Sequence, residues 1–450
     1  MLSVNYNSAI SNYAVSGVKS VDKKTLPTTK AYASKPSFCG AAAAGNDVAI
    51  RTRLTTKEEK QKYKHLTKQL GPDEKMMLEV LLKKGCLLKN NSNDKSTALD
   101  NLYKMATTER AAGMDKDVLL KHTIQTIYNP HVITQHFGDI PEEYESQVLD
   151  KLTDSKDMIE RGIVKTDLSE MYSGCCVAAS EEFNLASTNP AEFTRFAEGF
   201  TSPQKSVQKT IKLDSLSEKA LDAIWLLNAF EIPYEAKDFN TATLTIAPDS
   251  NAYIREQIQE KHQDELERSP IDVLMQSAFM NIGSQQSYNA LNDTRGGKFS
   301  NDNRGLIDFE KTFLESVVED KNITSVTYQK VDENQKIIGY EATYDTVKNQ
   351  LLETLSTGKN IIIGYTMTDE NNYIKIGHEI TIVGAKTDAN GELSFICHDT
   401  DDDNPNPIEY PASYLIPKIH HAGIPTDIAE KDLTQTDNWV YGVREFNNQL

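Results

Sequence analysis

Residues 173–180 read SGCCVAAS, which places two of the chain's five cysteines side by side. A thiol is a good nucleophile only as thiolate. Two devices favour that form: the positive end of a helix, and a nearby histidine able to hold the proton. Ser173 and Gly174 interrupt regular structure, and VAASEEFNLA supplies helix formers behind them. A helix opening at the cysteines is therefore expected, with Glu181 and Glu182 in its first turns, where acids suit the dipole. The competing reading is a pair of buried structural thiols, the usual fate of free cysteine.

The second device needs a histidine from elsewhere. Of nine histidines, His378 opens the alternating apolar run HEITIVGA, with Gly377 before it and Gly384 near its end. The next run, SFICHD, ends on Asp399 before the acidic turn DTDDDNP. In a hairpin of these two runs, Asp399 comes beside His378 and can bond its other ring nitrogen, fixing tautomer and orientation. Asp401, Asp402 and Asp403 compete for that role. The order along the chain is Cys, His, Asp.

These residues resemble the papain-like cysteine peptidases. In that family a cysteine opens a long helix, a histidine opens a sheet strand, and an Asn or Asp ends the following strand. Ser173-Gly174-Cys175-Cys176-Val177-Ala178-Ala179-Ser180 is similar to the family's nucleophile motif, with Cys176 on the nucleophile and Cys175 on the small residue before it. Cys175 takes over if the helix starts one residue earlier. Gly377–Gly384 is similar to the histidine strand, and Phe395–Asp399 to the strand of the third member. The resemblance spans roughly residues 160–445, apart from an unmatched region near 240–345. It implies a Cys176–His378–Asp399 triad, a thioester acyl-enzyme and hydrolysis of a protein or peptide substrate, with no cofactor or metal. Isopeptide cleavage, deamidation and acyl transfer use the same constellation.

Three departures bear on activity. Val177 stands where the family has an aromatic residue, Glu170 stands at the oxyanion glutamine, and no Asn-Ser-Trp-Gly follows Asp399. A carboxylate cannot donate to an oxyanion unless protonated, so a second donor must come from Ser169, Tyr172, Ser173 or elsewhere. The same departures support a function of another class, a non-catalytic binding protein on the same scaffold. Cys39, in SFCGAAAAG, lies too far upstream of the sheet to serve as nucleophile.

The elements that must position these groups are legible in outline. At 450 residues the chain exceeds one ordinary domain. Residues 1–50 are polar and rich in small side chains, and read as a disordered tail. Residues 51–160 carry successive amphipathic helical patterns and no strand pattern: TTKEEKQKYKHLTKQL stopped by Gly71, DEKMMLEVLLKKG ended by Gly85, STALDNLYKMATTERAAG, KDVLLKHTIQTIYNP and PEEYESQVLDKLTDSKDMIERG. Residues 161–450 begin with helices in SLSEKALDAIWLLNAF, RSPIDVLMQSAFMNIG and GLIDFEKTFLESVVED. Strands come after them in ITSVTYQKV, IIGYEATY, NIIIGYTM, IGHEITIVGA, ELSFICHD and NWVYGVREF, with one helix, YDTVKNQLLETLSTGK, among them. The expected class is α+β, a papain-like domain with an antiparallel sheet preceded by a helical N-terminal domain.

Composition narrows the partners. Forty-eight basic against 66 acidic residues give −18, which argues against nucleic acid or anionic membrane. The five cysteines are odd in number and scattered, a pattern of free thiols in a reducing compartment. The first twenty residues lack a basic segment followed by an apolar core, and no run reaches membrane-spanning length. A cytoplasmic location is expected, with non-classical export as the alternative. Cys397, His398, His420 and His421 lack paired zinc-ligand spacing, and DTDDDNPNP lacks the glycine and terminal Glu of a calcium loop, so no metal is expected.

Overall fold

The computed structural model describes residues 50–136, 174–262, 267–291, 293–296, 305–401 and 405–431, with scattered positions between 140 and 148. Helix α1 (Lys57–Gln69) opens on a capping box: Thr56 Oγ1 accepts from the Glu59 amide, and Glu59 accepts from the Thr56 amide. Gly71 starts α2 (Pro72–Lys83) as its N-cap, so the stop expected there is also a start. Gly85 ends the α2 turn at φ +79°, a left-handed conformation that suits a residue without Cβ. Helices α3 (Ala98–Thr107) and α4 (Lys116–Tyr128) come next, the latter stopped at Asn129-Pro130.

These helices pack directly onto the pair α5 (Cys176–Thr188) and α6 (Pro190–Thr201). Asn101 Nδ2 donates to the Ala191 carbonyl (3.0 Å), and Arg110 pairs with Glu198 (3.2 Å), fastening α3 and its trailing loop to α6. A single apolar core runs from Leu66 through Phe183 and Phe279 to Val318. The domain boundary expected near residue 160 lies outside the described residues.

A small antiparallel sheet, not expected from the sequence pattern, comes next. Strand β1 (Val207–Lys212), helix α7 (Ala220–Ala229), and strands β2 (Tyr234–Ala236) and β3 (Thr241–Ile246) form this unit, the strands in the order β1-β3-β2. Lys209 hides the β1 pattern, because a lysine occupies an inward position. Its ammonium is buried against Glu192 at 3.0 Å. Helices α8 (Ala252–His262) and α9 (Pro270–Gly283), the hairpin β4 (Tyr288–Asn289) with β5 (Thr294–Arg295), and helix α10 (Asp308–Glu319) lead to the main sheet.

That sheet is built from β6 (Ile323–Thr327), β9 (Ile361–Thr368), β10 (Ile374–Thr387), β11 (Leu393–Asp399), β12 (Ile408–Pro411) and β13 (Ile419–Pro425). A side hairpin, β7 (Gln329–Val331) with β8 (Ile337–Tyr340), and helix α11 (Tyr344–Ser356) precede β9. The order is β12-β11-β10-β9-β13-β6, antiparallel throughout. Alternation assigns the two faces. Ile361, Ile363, Ile380, Ile382, Phe395 and Cys397 share a core with Val347 and Leu351 of α11. Burying each of these aliphatic side chains contributes about 1.5–3 kcal/mol. Helices α5 and α10 also lie against this sheet, α5 along β10 and α10 along β6 and β13. The class is α+β. The expected strand NWVYGVREF lies outside the described residues.

Candidate functional site

Cys176 is the first residue of α5 and Cys175 its N-cap, in a non-helical conformation that supplies no side-chain cap. The first-turn amides of α5 therefore have no side-chain oxygen from the cap position. The adjacent cysteines have different surroundings. Cys175 is fully buried and donates its thiol to Gln276 Oε1 at 3.1 Å, whereas Cys176 is only partly buried. Cys176 is thus the reagent-accessible sulfur of the pair.

His378 lies inside β10, four residues beyond its start at Ile374, rather than opening the strand. Its cross-strand partner on β9 is Tyr365. On the other side Ile380 pairs with Asp399, so His378 and Asp399 project from the same face, one pleat apart. Asp399 Oδ1 lies 2.6 Å from His378 Nε2. Cys176 also acts electrostatically on this imidazole and favours its charged form. Ser180 Oγ donates to the Glu379 carbonyl (3.4 Å), fastening α5 to β10 one residue past His378.

The electrostatics favour a charged imidazole. Burial opposes protonation of His378, but the Asp399 carboxylate and the Cys176 sulfur outweigh it and hold the pKa well above the ordinary histidine value. Burial likewise pushes Asp399 up, and the His378 charge overrides it, keeping the carboxyl below its usual range. A helix-start sulfur, an imidazole and a carboxylate are thus brought together, the groups that nucleophilic thiol chemistry uses.

No protein-family model, curated protein or solved structure matches this chain.

Several expected features take different places. Glu181 and Glu182 do not serve the helix dipole, because a helix that begins at Cys176 puts them beyond its first turn, fully buried. Burial raises both carboxyl pKa values. Glu319 and Glu315 reinforce the effect at Glu181, and Asp272 does so at Glu182. Gln276 Nε2 donates to Glu182 Oε2 (3.0 Å) and to the Thr134 carbonyl (2.9 Å), so one amide links Cys175, Glu182 and the segment after α4.

A group whose folded-state pKa is raised contributes stability below its unfolded value, and that contribution fades as pH rises. Glu182→Gln is therefore expected to change stability little near pH 5. It should also reduce the loss of stability on going from about pH 5 to pH 8 by up to about 1.4 kcal/mol per pH unit. Urea denaturation across that range reads the slope. An unchanged slope would mean that Glu182 is ionised in the fold.

His398 faces α5: it stacks on Phe183 with ring centroids 4.0 Å apart and meets His131 Nδ1 at 3.1 Å. Burial lowers the pKa to about 3 for His398 and about 4 for His131, so both are neutral packing groups. Cys397 lies in the α11 core with its thiol pKa pushed up by burial. The Asp401 amide donates to Asp399 Oδ1 (3.0 Å), and its carboxylate lies 4.0 Å from His136, so Asp401 supports Asp399 rather than replacing it. Val177 is a core residue. Cys39, Ser169, Glu170, Tyr172, Ser173, Asp402 and Asp403 lie outside the described residues.

One expectation about thiols is corrected. Cys86 is disulfide-bonded, whereas Cys175, Cys176 and Cys397 are unbridged. Among the described residues no helix is long and apolar enough to cross a membrane.

Only the adjacent pair His420-His421 hinted at a polar row on the main sheet. Glu379 and His421 both register against Gly364, so the missing side chain on β9 leaves a gap over which they meet, His421 Nε2 lying 2.8 Å from Glu379 Oε1. A Cβ at Gly364 would overlap the His421 ring. Lys311 of α10 donates to Glu379 Oε2 (3.1 Å) and to the Ile362 carbonyl (3.0 Å). The adjacent pair His420-His421 was the visible signal. Its partners come from α10, β9 and β10, which no spacing rule connects.

Proposed function

We infer that this protein is a papain-like thiol hydrolase acting on peptide bonds. One observation carries the reading: Cys176, on the first turn of α5, acts electrostatically on His378, whose Nε2 lies 2.6 Å from Asp399 Oδ1. The order Cys, His, Asp and the placement of the three on a helix start and two neighbouring strands add support.

The chemistry rests on the charges. The Cys176 thiolate attacks the acyl carbon, and negative charge moves onto the carbonyl oxygen, where the Cys176 backbone N–H is the nearest helix-terminal donor. His378 gives its proton to the leaving amine as the carbon–nitrogen bond breaks, leaving a thioester. A water then attacks that thioester while the neutral imidazole takes its proton. The acid departs, and the thiolate–imidazolium pair is restored. Asp399 keeps the imidazole oriented and stabilises its charge. A cavity of about 540 Å³ lies at the end of β9 beside the β7–β8 hairpin, lined by Thr366, Tyr414 and Lys418 but by none of the three triad residues.

The test is turnover of a diverse peptide library by the full chain, with trapping of a covalent acyl adduct by mass spectrometry. Cleavage that Cys176→Ser abolishes, with the adduct mapped to Cys176, is the expected result. No turnover and no adduct, alongside partner binding unchanged by Cys176→Ser, would replace the hydrolase with a binding protein on the same scaffold.

A further inference from the structure

Asp308, His420 and His421 bring one ligand atom each to within 4.8 Å of one another. Asp308 is the first residue of α10, and the histidines are consecutive on β13. Consecutive strand residues normally point to opposite faces. Here the ladder between β13 and β9 slips between Ile419 and His421, and that irregularity accompanies two rings whose Nδ1 atoms face each other at 2.9 Å. Asp308 Oδ1 lies 3.3 Å from His421 Nδ1.

We propose that Asp308, His420 and His421 form a binding site for a divalent transition ion of the zinc class, with Glu379 orienting His421 from behind. The spacing is that of a coordination shell. Ligands about 2.0–2.1 Å from a tetrahedral ion are separated by about 3.3 Å from each other. Two imidazoles and one carboxylate suit zinc and its neighbours, whereas calcium and magnesium prefer all-oxygen shells. His421 would bind through Nδ1, with the Glu379 carboxylate 2.8 Å from its Nε2, a placement from which a second carboxylate can raise ligand basicity.

Charge also favours a cation. Asp308 and Glu379 face one ammonium among the described residues, Lys311, which Glu379 and the Ile362 carbonyl already engage. The Asp308 side chain is 34% exposed, which gives an ion a route in. The other acidic cluster, Glu181, Glu315 and Glu319, differs in this respect: Lys359 already sits in it, 2.5 Å from Glu319 and 3.3 Å from Glu315, and acts as its cation.

The probe is Co²⁺, titrated into chelator-stripped full-length protein and displaced by Zn²⁺. One ion per chain is expected, with d–d absorption and no sulfur-to-cobalt charge-transfer band. Zn²⁺ should raise Tm. Asp308→Asn and His421→Gln should each weaken binding by at least about 100-fold, and Glu379→Gln by about 10- to 100-fold. Glu319→Gln and Cys176→Ser should leave it unchanged. Circular dichroism confirms that each variant is folded, and His420→Gln replaces any that is not. The proposal is overturned if the folded wild-type chain binds no stoichiometric Co²⁺, if the histidine and Asp308 variants bind as tightly as wild type, or if a charge-transfer band shows that Cys176 is the ligand. The Cys176→Ser arm separates this site from the hydrolase reading, because either can fail alone.

Discussion

His378→Ala is expected to slow alkylation of Cys176 by iodoacetamide at neutral pH by about 10- to 100-fold. The sulfur keeps its place at the head of α5 in that variant but loses the neighbouring imidazole, and with it the positive charge that Asp399 sustains. Asp399→Asn should move the rate the same way by a smaller factor. Without the carboxylate, burial acts on His378 with less opposition and the imidazole pKa falls. Cys397 is the internal reference, a free thiol buried in the α11 core whose pKa is pushed up. Cys86 cannot serve, being disulfide-bonded. The measurement is peptide-resolved labelling over time in the native protein. If Cys176 labels no faster than Cys397, or if His378→Ala leaves its rate unchanged, the activated thiol is excluded whatever the substrate.

Arg268→Leu should give the largest loss of stability among single substitutions near the site, about 3–5 kcal/mol. The Arg268 guanidinium is fully buried. It reaches Asp293 at 3.0 and 2.5 Å and donates to the Gln135 carbonyl at 3.1 and 2.9 Å. Tyr288 donates to the same carboxylate. Removing the cation strands a buried Asp293 and releases residues 134–136, which Gln276 also holds through Thr134. Replacing both partners, Arg268→Leu with Asp293→Leu, should recover much of the loss, because the stranded charge rather than the missing attraction sets the penalty. Urea unfolding of both variants reads this. A double variant no more stable than the single one would shift the cause to packing.

Local signals carried much of the fold. Capping residues, a helix-ending glycine at 85 and Asn129-Pro130 bounded α1 to α4, because those boundaries depend on hydrogen bonds and φ preferences within a few residues. The strands around His378 and Asp399 were legible for the same reason: an antiparallel hairpin with one buried face writes its alternation into the chain. The signal failed where long-range partners override local pattern. Lys209 breaks the apparent alternation of β1 until Glu192 is seen beside it, and Glu182 looks like a surface acid until Asp272 and Gln276 close over it.

Cys176, His378 and Asp399 were each identifiable from residue type and neighbours, since a helix start and a strand end are local properties. Which cysteine is accessible, and that its sulfur acts on the imidazole, depended on packing between α5 and β10 across some two hundred residues of chain. The Asp308–His420–His421 group was decided by tertiary structure alone. It needs a strand irregularity, a glycine on the next strand and a helix start to coincide, and the energy that selects such a coincidence is spread over the whole sheet rather than recorded at any one position.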